Sequence, residues 1–217
     1  SAALLRSMLG EDALKNRSFV QAHGTSTPQN RVTESHVINE TAKAFSIDNW
    51  PVAAIKCYIG HSQGTAGGDQ LSTSLGTWKY GLIPGIVTTP EFAEDVNQSN
   101  LLLSNQHLDV GKKGMDAVLL NSKGFGGNNA SAPVLAPHIV EEMLKRRYTT
   151  EQLAAYTRKR ETSRLKANEY DQSAIHGEAK PLYLYDHNVL QGDDLKINDK
   201  EIQLPGYKHS INMEINN

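Results

Sequence analysis

Three short stretches of this sequence combine residue types that could hold a negatively charged oxygen. In the first, Ala22 to Pro28 (AHGTSTP), His23 stands against Gly24 and the hydroxyl residues Thr25, Ser26 and Thr27. A histidine kept at a strand end by small neighbours can turn one ring nitrogen to a pocket while the other is fixed, which suits it to donate to, or accept from, a reacting carbonyl. In the second, Ile55 to Gly68 (IKCYIGHSQGTAGG), Lys56 lies in an apolar run and His61 directly precedes a helix-compatible stretch. A helix N-terminus there disfavours the imidazolium and leaves a neutral ring able to donate a hydrogen bond. In the third, Asn121 to Ala130 (NSKGFGGNNA), Gly124, Gly126 and Gly127 flank Phe125. They free the backbone for unusual angles, so an amide can point into a site while the ring covers the entrance.

Each stretch alone also has a plainer reading. A histidine beside Gly and Thr is commonly a turn residue, and a glycine-rich loop after a strand is commonly only a turn. In a regular strand Lys56 falls on the face opposite His61 and, if buried, needs an acid partner; at a strand edge it reaches water instead. The glycines of the second stretch lack the closing Gly-Lys-Ser/Thr of a phosphate loop, and those of the third do not form G-x-G-x-x-G, so a nucleotide site is not indicated.

The elements that must position these residues alternate as in an α/β domain. Ser18 to Gly24 reads as a short buried strand, Thr33 to Phe45 as a helix, Val52 to Gly60 as a second strand and Thr65 to Tyr80 as a small-residue helix. Ala117 to Ser122 reads as a third strand, the loop KGFGGNNAS follows, and APVLAP reads as a last strand. Three strand ends finish in polar or glycine-rich sequence, where ligand crevices of open α/β sheets lie. From His138 the character changes. Thr149 and Gln152 resemble a capping box opening a polar helix to about Asn168. Lys145, Arg146, Arg147, Arg158, Lys159, Arg160, Arg164 and Lys166 make that segment basic, after which LYLYDHNVL, a GDD turn, LKIN and EIQLPG read as hairpin strands.

The 217 residues suffice for one domain with an appendage, and 38% hydrophobic against 21% charged residues excludes a disordered or collagenous chain. No apolar run approaches the roughly 18 residues of a membrane span, and the first residues lack the order of a signal peptide. One cysteine, Cys57, leaves no intrachain disulfide and no cysteine-pair zinc site, which suits a reducing cytoplasm. A net charge of -2 gives no global pull towards nucleic acid or membrane. The basic helix could attract an acidic protein or nucleic acid, but its charges are spread round the helix without stacking aromatics, which favours a solvated face.

Taken together and in order, the three stretches resemble the C-terminal half of a β-ketoacyl synthase, a condensing enzyme of the thiolase fold. The family's E-A-H-G-T-G-T, with a glutamate eleven residues past the histidine, is similar to Gln21 to Thr27 with Glu34. Its V-K-S-N-I-G-H is similar to Ile55 to His61, and its N-S-F-G-F-G-G-T-N to Asn121 to Asn129. The resemblance covers residues 1–137, leaving 138–217 as an extension with a basic helix and hairpin strands.

The resemblance implies an α/β half-fold, a mixed sheet with helices packed on it, that acts without cofactor or metal. By motif match, His23 and His61 donate to the carbonyl of a malonyl thioester during decarboxylative Claisen condensation. Lys56 and Glu34 form a buried pair that orients the site, Thr25 and Thr27 bind substrate, and Phe125 is a gate whose loop, with Gly124, Gly126 and Gly127, supplies an oxyanion amide. The implied partners are acyl carrier protein with its malonyl and acyl thioesters, the N-terminal half of the same synthase, and a second copy in a homodimer. The nucleophilic cysteine lies in the preceding half in that family; Cys57 reads as structural, so this segment alone should be inactive. The alternative is a non-catalytic thiolase-fold partner resembling chain-length subunits, against which stands retention of both histidines, the lysine and the glutamate. Asn30, Arg31, Lys123 and Asn128 depart from the family pattern, and none is expected to touch a catalytic group.

Overall fold

A computed structural model describes residues 1–180, 184–187 and 189–214. In chain order the helices are α1 (Ala2–Leu9), α2 (Glu11–Asn16), α3 (Pro28–Ala44), α4 (Lys56–Ile59), α5 (Ala66–Tyr80), α6 (Pro137–Arg147) and α7 (Thr150–Ile175). The strands are β1 (Ser18–Gln21), β2 (Trp50–Ala53), β3 (Leu82–Ile83), β4 (Leu101–Leu103), β5 (Leu108–Asp109), β6 (Ala117–Gly124), β7 (Asn128–Leu135), β8 (Lys196–Ile197), β9 (Glu201–Gln203) and β10 (Ile211–Asn212). The chain divides into two compact units, Ser1–Leu153 and Ala154–Asn217.

The first unit is built on a five-stranded sheet ordered β4-β2-β1-β6-β7. The first four strands are parallel and β7 returns antiparallel to β6. The β1 sequence SFVQ is buried throughout because helices cover both faces, the environment that parallel strands require. On one face Val20, Trp50, Val52 and Leu119 pack with Leu5, Leu14 and Ile38 of α1, α2 and α3. On the other, Phe19, Ala53 and Val118 pack with Trp78 of α5 and with Ile83 and Met115. In β7, Pro133 lies opposite Leu119; it has no N–H to give a further strand, so it is placed where the sheet ends.

The helix expected from Thr33 begins earlier, at Pro28. Proline at the first helical position sacrifices only an N–H that would be unpaired there, so this polar first turn forms without apolar periodicity. The strand expected over Val52 to Gly60 stops at Ala53. The last pairing of β2 with β1 is Gln21 with Ala53. With no neighbouring strand beyond it the backbone bonds to itself, Cys57 N–H to the Ala54 carbonyl at 3.1 Å and Tyr58 N–H to that of Ile55 at 2.9 Å. Lys56 therefore stands on a single helical turn, not in a strand. At Gly81, which caps α5 with φ 81°, an added Cβ would meet the Gly111 carbonyl carbon at 2.9 Å. The glycine-rich loop is shorter than expected: β6 and β7 extend into it, leaving Phe125–Gly127 as the turn.

α7, which begins in the last residues of the first unit, continues to Ile175, past the expected end at Asn168, and buries no residue. The capping box expected ahead of it is present, with the Thr149 N–H on Gln152 Oε1 at 3.0 Å and the Gln152 N–H on Thr149 Oγ1 at 3.3 Å. β10, β9 and β8 form a small antiparallel sheet from the LKIN and EIQLPG segments. The strand reading of LYLYDHNVL falls partly on residues 182, 183 and 188, which lie outside the described residues; its segment 184–187 is a turn. Among the described residues no helix is long and apolar enough to cross a membrane.

Candidate active site

Where β1 leaves the sheet, the Ala22 N–H donates to the Ala53 carbonyl at 2.8 Å, and the next residue is His23, only 5% exposed. Its backbone is held from two sides. Glu34, on α3, accepts the N–H groups of His23 at 2.7 Å and Gly24 at 2.9 Å, and the side-chain amides of Asn30 at 3.0 Å and Asn121 at 2.6 Å. Lys56 donates to the His23 carbonyl at 2.6 Å and stands 3.4 Å from its Nδ1. Glu34 and Lys56 thus do not form the expected ion pair. Four N–H donors already fill the carboxylate, while the helical turn of α4 carries the ammonium to the carbonyl side of the same peptide. Gly24 has φ 61°, and a Cβ there would lie 2.8 Å from that of Ala54, so the turn out of the strand requires glycine.

Burial, and next the Lys56 charge, hold His23 below the ordinary imidazole range, so the ring is neutral at neutral pH. Burial lowers Lys56 as well, opposed by the charges of Glu34 and Asp69. With an ammonium facing Nδ1, the lone pair sits there and the ring proton on Nε2. His61 follows the Gly60 that ends α4. Its Nδ1 accepts the Gln63 N–H at 3.0 Å, which places the proton of a neutral ring on Nε2 as well. The rings meet edge to face, centroids 5.0 Å apart and planes at 81°.

Gln70, fully buried on α5, plays a part that motif reading missed. Its Nε2 donates to the carbonyls of Gln21 at 3.1 Å, Ala22 at 2.8 Å and Asn121 at 2.8 Å, and its Oε1 accepts the Ser122 hydroxyl at 2.8 Å. One amide thereby ties α5 to the ends of β1 and β6. The sequence signal was a long polar side chain in a helix otherwise rich in Gly, Ala and Ser. Asn30 is also corrected: it touches Glu34, contrary to the expectation for the departing positions.

An open cleft of 1620 Å³ joins these groups; His23, Thr25, Thr27, Lys56, His61 and Phe125 line it. Thr27 is the residue that precedes α3. Phe125 stands at the border of the cleft. Gly126 at φ 77° and Gly127 at φ 80° turn the loop, Asn128 braces it on the Phe125 carbonyl at 3.0 Å, and the ring is 95% exposed. Cys57 is half-buried with Sγ 3.9 Å from the Gly85 carbonyl, and burial pushes its thiol up, away from the nucleophilic thiolate. Among the described residues no three His, Cys, Asp or Glu side chains are grouped to hold a metal ion.

Parallel strands in the order β4-β2-β1-β6, closed by antiparallel β7, are the fold of the C-terminal part of a thiolase-like ketosynthase structure. Residues 3–89 match the family described as Beta-ketoacyl synthase, C-terminal domain. Over 204 residues it is 44% identical to the beta-ketoacyl-acyl-carrier-protein synthase FabY of Pseudomonas aeruginosa, a match covering 94% of this chain and 32% of that protein. Over 113 residues it is 31% identical to 3-oxoacyl-acyl-carrier-protein synthase 1 of Escherichia coli (strain K12), covering 52% of this chain and 26% of that one. The crystal structure of the noncanonical ketosynthase FabY from P. aeruginosa superimposes with a TM-score of 0.81 at 42% identity, covering 100% of this chain and 34% of that chain. The chain thus spans about a third of FabY and about a quarter of the E. coli protein.

Proposed function

We propose that this chain is the enolate-stabilising part of a β-ketoacyl-acyl-carrier-protein synthase acting in fatty acid or polyketide synthesis. A cysteine in the remaining part of the synthase takes an acyl group from its thioester and expels the carrier thiol. A malonyl thioester then loses its carboxylate as carbon dioxide, and the electron pair of the broken C–C bond passes into a thioester enolate. The enolate carbon attacks the acyl group on the cysteine, releasing the thiolate and a 3-ketoacyl thioester. His23 and His61 donate from Nε2 to the malonyl thioester oxygen, where the charge collects; a donor of this kind contributes about 3–4 kcal/mol. Lys56 and Glu34 position His23, Thr25 and Thr27 contact the substrate, and the Phe125 loop borders the entrance.

The observation that carries this reading is the pair of imidazoles in edge contact, each with Nδ1 already engaged. Cys57 does not serve as the nucleophile, since burial keeps its thiol protonated. Residues 1–137 form the synthase part and 138–217 an extension that FabY shares, as similarity over 94% of the chain supports. The partners are acyl carrier protein, the other half of the synthase and a second copy in a cytoplasmic homodimer. The test is the complete synthase supplied with malonyl and acyl carrier protein. It should release carbon dioxide and ketoacyl product in equal amounts; release of neither refutes the reading, as does a complete sequence with no cysteine in a strand-to-helix elbow.

A further inference from the structure

Lys123 borders the cleft and has no part in this mechanism. Lys123 lies near the end of β6, two residues beyond Asn121 and therefore on the same sheet face. Asn121 binds Glu34 from that face, and Lys123 reaches the early turns of α3, where its Nζ donates to Thr33 Oγ1 at 2.9 Å. Thr33 commits its own proton to the Gln29 carbonyl at 2.9 Å, so it serves Lys123 only as an acceptor. Among the described residues Lys123 has no carboxylate within 4.0 Å, and an ammonium has three N–H groups to place. The other cations of the cleft are committed: Arg31 binds Asp95 through two contacts of 2.8 Å, and Lys56 holds the His23 carbonyl. Glu91 also borders the cleft and makes no ion pair with Lys123. The Lys123 charge reaches His23, which it helps to hold in the neutral form.

We infer that Lys123 is a specificity-determining residue that binds an anionic group of the incoming thioester; this rests on the condensing function proposed above. Such a thioester offers two anions, the carboxylate that departs as carbon dioxide and the phosphate of the carrier's prosthetic arm. Kinetics separate them. A contact to the carboxylate stabilises the ground state more than a transition state in which that charge is leaving, so neutralising Lys123 raises KM and also raises kcat. A contact to the phosphate is equal in both states, so KM rises with kcat unchanged.

The test compares the complete synthase with its Lys123→Gln and Lys123→Arg variants on malonyl carrier protein. Lys123→Gln should raise KM about tenfold, the size of one charge-assisted contact at a partly exposed site, and should flatten the dependence of KM on salt. Lys123→Arg should restore KM to within about twofold of the parent. An unchanged KM in the glutamine variant, or an arginine variant no better than glutamine, overturns the inference while leaving an active condensing enzyme. A parent enzyme that does not condense overturns the underlying function and this inference with it.

Discussion

His23 and His61 approach edge to face at 5.0 Å although one is buried at a strand end and the other exposed at a helix entry. Their Nδ1 atoms are engaged by unrelated groups, the Lys56 ammonium and the Gln63 N–H, yet both arrangements leave the proton on Nε2. Two donors aimed by independent supports are what a developing oxyanion needs.

Loss of one donor should therefore be selective. In the complete synthase, His61→Ala should slow malonyl decarboxylation by roughly 10²–10³-fold and leave acyl transfer to the nucleophile near normal. Carbon dioxide release and mass-detected acyl-enzyme measure the two steps separately. Decarboxylation at the parent rate would remove His61 from the mechanism.

Glu34 is required for structure before chemistry. Its four N–H contacts occupy both carboxylate oxygens, so Glu34→Gln must turn an NH₂ group towards donors that need an acceptor. The expected loss is about 2–4 kcal/mol of unfolding free energy, read from urea denaturation. A change below about 0.5 kcal/mol would show that the backbone at His23 does not depend on this carboxylate.

The depressed pKa of His23 gives a pH signature. In the unfolded chain this imidazole titrates near its ordinary value of 6.5, whereas burial and Lys56 lower it in the folded state. Between the two values the unfolded chain binds more protons, so stability contributed by this group is complete above 6.5 and declines as pH falls below it. Replacement by Gln should flatten the stability curve in that window. Equal slopes for parent and variant would show that His23 is not held neutral.

Cys57 should be dispensable for turnover. Its thiol is driven towards the protonated form by burial, with Sγ 3.9 Å from the Gly85 carbonyl. Cys57→Ser in the complete enzyme should keep kcat within about twofold, by the same condensation assay. A dead variant with an intact melting curve would reassign the nucleophile.

The motifs carried most of the site into view because they keep the chemistry-bearing residues beside glycine and strand-like sequence. His23, His61, Lys56 and Glu34 border one cleft. What local pattern could not show was where strands lose their neighbours. Ile55 to Ile59 is apolar enough for a strand, and only the end of β1 at Gln21 explains why it coils into a turn. That same turn redirects Lys56 from the expected carboxylate to a peptide carbonyl. Gln70 was missed for a related reason, since its value lies in the backbone carbonyls of Gln21, Ala22 and Asn121, from two distant places in the chain that no spacing rule connects. For Phe125 the glycines promised a turn, which Gly126 and Gly127 make, but the exposure of its ring is a property of tertiary surroundings.

The Gln70 crosspiece has one more consequence. From His61 the chain enters α5, from Gln70 the contact crosses to Ala22, and the next residue is His23, which closes a circuit through the ring contact itself. Sliding of α5 along the sheet would draw the two rings apart, and the Gln70 contacts to the ends of β1 and β6 oppose that motion, which preserves their mutual spacing.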